Sequence, residues 1–203
     1  MRLDKLTTKF QEALSEAQTL AIGDDHAYIE PSHLLVAMLR QDDGPKSLLE
    51  RAGANVHGLQ SAAETAMHRL PKVEGQDQVQ VGRDLISLIQ AAEKESIKRG
   101  DQYIASELFL LAMCDNKAEW GKLARENGLN RKALEVAVTT VRGGEKVQSA
   151  DAEGQREALK KYCLDLTERA RQGKLDPVIG RDDEIRRAIQ EIGRASCRER
   201  VSS

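Results

Sequence analysis

Residues 28–39 read YIEPSHLLVAML, from Tyr28 to Leu39, and residues 103–114 read YIASELFLLAMC, from Tyr103 to Cys114. The offset between them, 28 to 103, is 75, and the same offset carries Ala17 onto Ala92, Ile22 onto Ile97, Leu48 onto Leu123, Gly53 onto Gly128, Asn55 onto Asn130 and Ala62 onto Ala137. One offset held without a gap over so long a span marks a duplication. Each copy contains several apolar-periodic segments, so the repeat is too large for a solenoid unit and reads as a duplicated subdomain.

Working outward from the first stretch, Leu6, Phe10, Ala13, Leu14, Ala17, Leu20 and Ala21 recur at helical spacing, with Thr7 or Thr8 available as a cap and Gln11 at capping-box distance from Thr8. Pro31 suits the first turn of a second helix bearing Leu34, Leu35, Met38 and Leu39. Leu48, Leu49 and Ala52 predict a short third helix closed by Gly53, and Asn55 caps a fourth that Pro71 stops. The second copy repeats the plan: Leu85, Leu88, Ile89, Ala92 and Ile97 on its first helix, Ser106 capping the second, Trp120, Leu123 and Ala124 on the third before Gly128, and Asn130 capping the fourth. The expected fold is all-α, two four-helix repeats about a pseudo-two-fold axis, with no strands.

This assigns residues 1–142 to one domain, with repeats at about 1–70 and 83–142. PKVEGQDQVQVG (71–82) reads as a linker between the copies, and GGEKVQSADAEG (143–154) as a second, polar and mobile one. Residues 155–173 form an amphipathic pattern with Leu159, Tyr162, Cys163, Leu166 and Ala170, followed by LDPVIGRDDEIRRAIQ; the tail from about Gly193 to Ser203, arginines among serines, reads as foreign to what precedes it.

Composition narrows the function. The chain has 203 residues, 40% apolar and 32% charged, with a formal net charge of −2 and six aromatic residues. That balance gives no basic field for nucleic acid and few rings for base stacking. Apolar runs such as Leu108 to Cys114 are too short to span a bilayer, and MRLDKLTTKF has no signal-peptide core, so a cytoplasmic location is expected. Cys114, Cys163 and Cys197 form no CxxC pair, and His26, His33, His57 and His68 lack ligand spacing, so no metal is expected and His33 reads as a hydrogen-bonded structural histidine.

MRLDKLTTKFQEAL, the two YI repeats, the GG linker and above all ERARQGKLDPVIGRDDEIRR resemble the bacterial ClpB family of Clp-type AAA+ disaggregases, from residue 1 to about 191. The resemblance implies that Asp176, Pro177, Val178, Ile179 and Gly180 lie against the adenine of ATP as a partial nucleotide site. Phosphoryl chemistry needs a GxxxxGK[ST] loop, and the sequence contains none. The chain is therefore expected to be non-catalytic and to hold no cofactor of its own, ATP and Mg belonging to a full-length parent ATPase.

The resemblance further implies a module that engages unfolded or aggregated polypeptide for disaggregation and refolding, in a parent that is a homohexamer cooperating with the DnaK chaperone system. The positions matching the family's substrate-facing region are Thr7, Asp101 and Glu107, with Ile89 and Leu108 as apolar neighbours, lining a groove between the halves. Each has a purely structural alternative: Thr7 as a helix cap, Asp101 in the turn after Gly100, Glu107 as a first-turn acid, Ile89 and Leu108 as core. The competing functions are an adaptor-docking N-domain of the protease-linked ClpA or ClpC type, and an ATPase.

Overall fold

The computed structural model describes residues 3–41, 45–73, 79–155, 171, 173, 181 and 183–190. The chain divides into two units, residues 1–162 and 163–203. In the second, residues 183–190 form an exposed helix; Asp176 to Gly180 and the tail from 193 lie outside the described residues.

The first unit is helical, as the periodicity predicts. A 3-10 turn (Leu3–Lys5) leads into α1 (Thr8–Gly23), α2 (Pro31–Arg40), α3 (Lys46–Arg51) and α4 (Val56–His68); then come α5 (Arg83–Arg99), α6 (Ser106–Asp115), α7 (Glu119–Glu126) and α8 (Arg131–Arg142). The opening pair of stretches are α2 and α6. Every residue from Pro31 to Leu39 is buried, and every one from Ser106 to Met113. A helix apolar on all sides can only be satisfied in the middle of a core, so each half wraps its outer helices around one central rod: α1 and α4 pack on α2, while α5, α7 and α8 pack on α6.

Across the junction, α3 packs on α8 and α4 on α7, and Phe10 meets Phe109 edge-on with ring centroids 6.0 Å apart. Gly53 and Gly128, equivalent under the repeat, also meet there. Both are left-handed, at φ 78° and 76°, and a Cβ on Gly128 would come 3.3 Å from the Gly53 carbonyl oxygen. Both the backbone conformation and the close approach call for glycine.

The expectation of no strands is corrected. β1 (Tyr28–Ile29) and β2 (Gln80–Val81) pair in parallel, Ile29 opposite Val81, and a parallel bridge joins Leu6 to Ile104. Adding 75 to 29 gives 104 and adding 75 to 6 gives 81, so the two pairings are one pairing made twice, each half lending its leading residue to the other. Within the linker 71–82, β2 and a bridge from Lys72 to His26 tie the chain to the first half. Ile97, assigned to an inward face, is 69% exposed, because the buried stripe of α5 runs through Leu85, Leu88, Ala92 and Ser96 and leaves Ile97 one residue round the helix, towards solvent.

Asn55 and Asn130 cap as expected, accepting from the Gly58 and Ala133 N–H groups at 3.0 and 2.9 Å. At α2 the N-cap is Glu30, whose side chain and that of His33 form a capping box. His33 Nδ1 accepts from the Glu30 N–H at 2.9 Å, which leaves its ring proton on Nε2 to donate to His26 Nδ1, also at 2.9 Å. Both rings are buried, and His26 Nε2 has no partner among the described residues. Burial and the neighbouring His26 push His33 down to about 4.

Candidate functional site

The polar residues of the second half converge where α5 turns into α6. Gly100, left-handed at φ 71°, ends α5, so the chain reverses and Asp101 points back under the end of α8. There Arg142, 6% exposed at its side chain, donates from Nη1 to Asp101 Oδ2 at 2.7 Å and from Nε to Glu107 Oε1 at 2.9 Å. Asp101 and Glu107 have side chains 0% and 9% exposed, so their charge is held inside the fold by one guanidinium.

The segment after α8 is not the mobile linker the sequence predicts, and that expectation is corrected. Val147, the one large apolar residue among its polar neighbours, is fully buried; its N–H donates to Asp101 Oδ1 at 2.9 Å, and its carbonyl accepts from the Gln102 and Tyr103 N–H groups at 2.9 and 3.3 Å. Farther on, the Ala150 carbonyl accepts from the Thr8 N–H at 2.9 Å, and Thr8 Oγ1 donates to Asp151 Oδ1. Glu153 then closes the segment. Its Oε1 accepts from Thr7 Oγ1 at 2.6 Å and from the Ser106 N–H at 2.8 Å, and its Oε2 accepts from Ser106 Oγ at 2.8 Å. Residues 147–153 form a strap across the starts of α1 and α6.

Asp101 and Glu107 thus share one arginine, and Glu153 lies beside Glu107 without a cation of its own among the causes of its shift. Glu153 bears the consequence: desolvation, then the charge of Glu107, push its pKa up to about 7, against the pull of its three hydrogen bonds. At neutral pH this carboxyl lies near the midpoint of its titration.

Of the five residues assigned to the substrate-facing region, Thr7, Asp101 and Glu107 belong to this cluster, while Ile89 and Leu108 are core side chains, 3% and 0% exposed. The expected open groove rimmed by Asp101 and Glu107 is corrected as well: both are buried, and the strap lies over the place. Ser106 is not the cap of α6. Ala105 holds that position and Ser106 uses its hydroxyl on Glu153. Arg142, Val147 and Glu153 were not singled out from sequence. A lone valine in a polar stretch was the available signal for one of them. One cleft, of ≈ 340 Å³, is lined by Asp4, Leu6, Gln11, Leu14, Ser15 and Gln18; another, of ≈ 240 Å³, is lined by Asp101 and Arg142 together with Gly144, Glu145 and Lys146, the residues that lead into the strap. Cys114 offers no nucleophile, since burial raises its thiol to about 11.

Residues 5–127 match the Clp repeat (R) N-terminal domain family. The chain belongs to that family. This Clp N-domain chain is 50% identical over 196 residues to the chaperone protein ClpB of Vibrio cholerae, an alignment covering 96% of the chain and 23% of the relative, so the chain spans under a quarter of the curated proteins it matches. The Hsp104 N-terminal domain from Candida albicans superposes with a TM-score of 0.64 at 19% identity, covering 73% of this chain and 99% of that one. A ClpV N-domain in complex with VipB peptide superposes with a TM-score of 0.58 at 20% identity, covering 70% and 90%. The all-α Clp N-domain fold is therefore established, and no described helix is long and apolar enough to cross a membrane.

Proposed function

We propose that this domain is the polypeptide-binding module of an ATP-driven disaggregase, engaging unfolded or aggregated protein before refolding. The carrying observation is the likeness to ClpB chaperones, near half identity along 96% of the chain. A complex of a ClpV N-domain of this fold with VipB peptide supports a peptide segment as the kind of ligand. Within the domain, the two copies differ around the starts of their central helices. Glu107 and Leu108 stand where the first copy has Ser32 and His33, and Thr7 stands where the second has Gly82; a duplicated scaffold with one distinctive face suits a single binding site.

The longer protein, by the same reading, is a cytoplasmic homohexameric ATPase using ATP and Mg and cooperating with DnaK. Weak capture per domain serves such an assembly, because six tethered copies multiply it. The test is titration of the chain into fluorescein-labelled, permanently unfolded casein followed by anisotropy. Saturable binding at roughly micromolar dissociation constant is expected. No saturable binding, with capture only of a folded adaptor, would remove this reading in favour of the adaptor-docking one.

A further inference from the structure

In the first half, the carboxylate at the start of the central helix is supplied locally. Glu30 is the N-cap of α2, and it lies so close to Gly82 that a Cβ there would come 2.4 Å from Glu30 Oε1. In the second half the corresponding residue is Ala105, which has no carboxylate. The repeat equates Gly82 with Thr7, and Thr7 is the residue that holds the Glu153 carboxylate at the start of α6. The second half therefore keeps the carboxylate position but fills it from a segment 47 residues away along the chain. Around it stand an apolar seat for Val147, the exposed-edge N–H groups of Gln102 and Tyr103, the Thr8 N–H and the Asp101 acceptor. These are the elements of a peptide site, with main-chain pairing and side-chain seats; its present occupant runs straight at Val147 and Gln148, turns at Ser149 to Asp151 and enters a helical turn that carries Glu153.

We propose that the surface under residues 147–153 is a receptor for a polypeptide segment that turns into a helix and bears an apolar residue and, six residues later, a carboxylate, with the chain's own strap as its displaceable occupant. This rests on the polypeptide-binding reading above and names the chemistry of its ligand. The strap is held mostly by hydrogen bonds rather than by apolar burial: Val147 is its one large buried apolar side chain, Gln148, Ser149 and Asp151 face solvent, and Glu153 lies beside the charge of Glu107. The site also has a donor that the strap leaves unused. Arg142 Nη2 is buried without a partner among the described residues, and Arg142 lines the ≈ 240 Å³ cleft at the strap's root together with Arg99 and Lys146. An arriving chain can offer that donor a carbonyl or carboxylate oxygen.

The experiment uses the full chain and a fluorescein-labelled peptide of residues 146–153, KVQSADAE, read by anisotropy. A chain carrying Val147→Asp and Glu153→Arg, whose strap cannot seat, is expected to bind the peptide at least about tenfold more tightly than the parent, since occupancy by the strap divides the apparent affinity by the free fraction. A peptide with lysine at its last position is expected to bind neither. Equal affinity for both chains, or binding to neither, overturns the proposal. Should circular dichroism show the double variant unfolded, Glu153→Ala, which leaves Val147 seated, is used with the same criteria, and the parent is checked by amide chemical shifts of Thr8, Gln102 and Ser106 moving on addition of excess peptide; unmoved amides overturn the proposal. The unfolded-casein titration run alongside separates the two readings. Casein bound without competition from the peptide sinks the receptor and leaves the polypeptide-binding function. Peptide bound to the variant with no casein binding to either chain sinks that function and leaves the receptor.

Discussion

Acid acts on this domain through two buried groups that oppose one another, and replacing Glu153 by glutamine separates them. His33 has its folded-state pKa lowered from 6.5 to about 4. Between those values the unfolded chain binds a proton that the folded chain refuses, so stability falls as the pH drops, by about 2 kcal/mol between pH 7.5 and pH 5. His26, lowered in the same direction by burial, adds to this loss. Glu153 is raised from 4.5 to about 7, so over nearly the same window the folded chain binds the extra proton and stability rises as the pH drops. Allowing for solvent at the rim of the strap, this gain is also about 2 kcal/mol. Urea unfolding of the parent chain, followed by far-ultraviolet circular dichroism at pH 7.5, 6 and 5, is expected to give a nearly flat stability. Glu153→Gln keeps an acceptor oxygen for Thr7 and Ser106 but cannot titrate. It is expected to lose about 2 kcal/mol more than the parent over that interval. Other titrating groups, Glu30 and Glu95 among them, are common to both chains and drop out of the difference. Identical pH slopes for the two chains would refute the account of Glu153.

Arg142→Met leaves the buried Asp101 and Glu107 carboxylates without a cation and is expected to cost about 3–5 kcal/mol in the same urea assay. Arg131→Met, whose side chain is 31% exposed while it bridges Glu95 and Asp115, is expected to cost less than about 1 kcal/mol. Gly121→Ala would place a Cβ 1.7 Å from the Asn116 carbonyl oxygen, a backbone atom, and is expected to lower stability by about 1–3 kcal/mol; Gly58→Ala meets only the ends of the Asn127 and Asn55 side chains, which can turn away, and is expected to cost less, as thermal melts of the pair will show. Asn130→Ala removes the oxygen that holds the Ala133 N–H and is expected to cost about 1 kcal/mol.

The helices were legible because their causes are local. Apolar spacing, the Asn55 and Asn130 caps and the left-handed Gly53 and Gly128 all act within a turn or two, and the duplication repeats each signal. The strands were not legible: two residues have no alternation to read, and their partners lie in the other half. Nor did spacing show that the buried stripe of α5 ends on Ser96, a polar residue, rather than on its apolar neighbour Ile97. Within the candidate site, Thr7, Asp101 and Glu107 were marked by resemblance alone. Their shared environment depends on Arg142, 35 residues from Glu107 in the chain, and on Glu153, 47 residues from Ser106. Nothing in a linear pattern of charges says which acid will meet which arginine, and only the packed fold turns a polar linker into a strap.

The double pairing of Ile29 with Val81 and of Leu6 with Ile104 has a further consequence. An arrangement in which residue i of one copy meets j of the other, and j of the first meets i of the second, is the signature of a two-fold homodimer. The present chain thus carries a dimer interface folded into a monomer. A single 75-residue unit would have needed a second molecule to cover its central helix, with a stability that depended on concentration. Joined in one chain, the two copies need no such concentration, and each residue has to satisfy only one of the two environments: one copy has His33 where the other has Leu108, and one has the carboxylate of Glu30 where the other has Ala105.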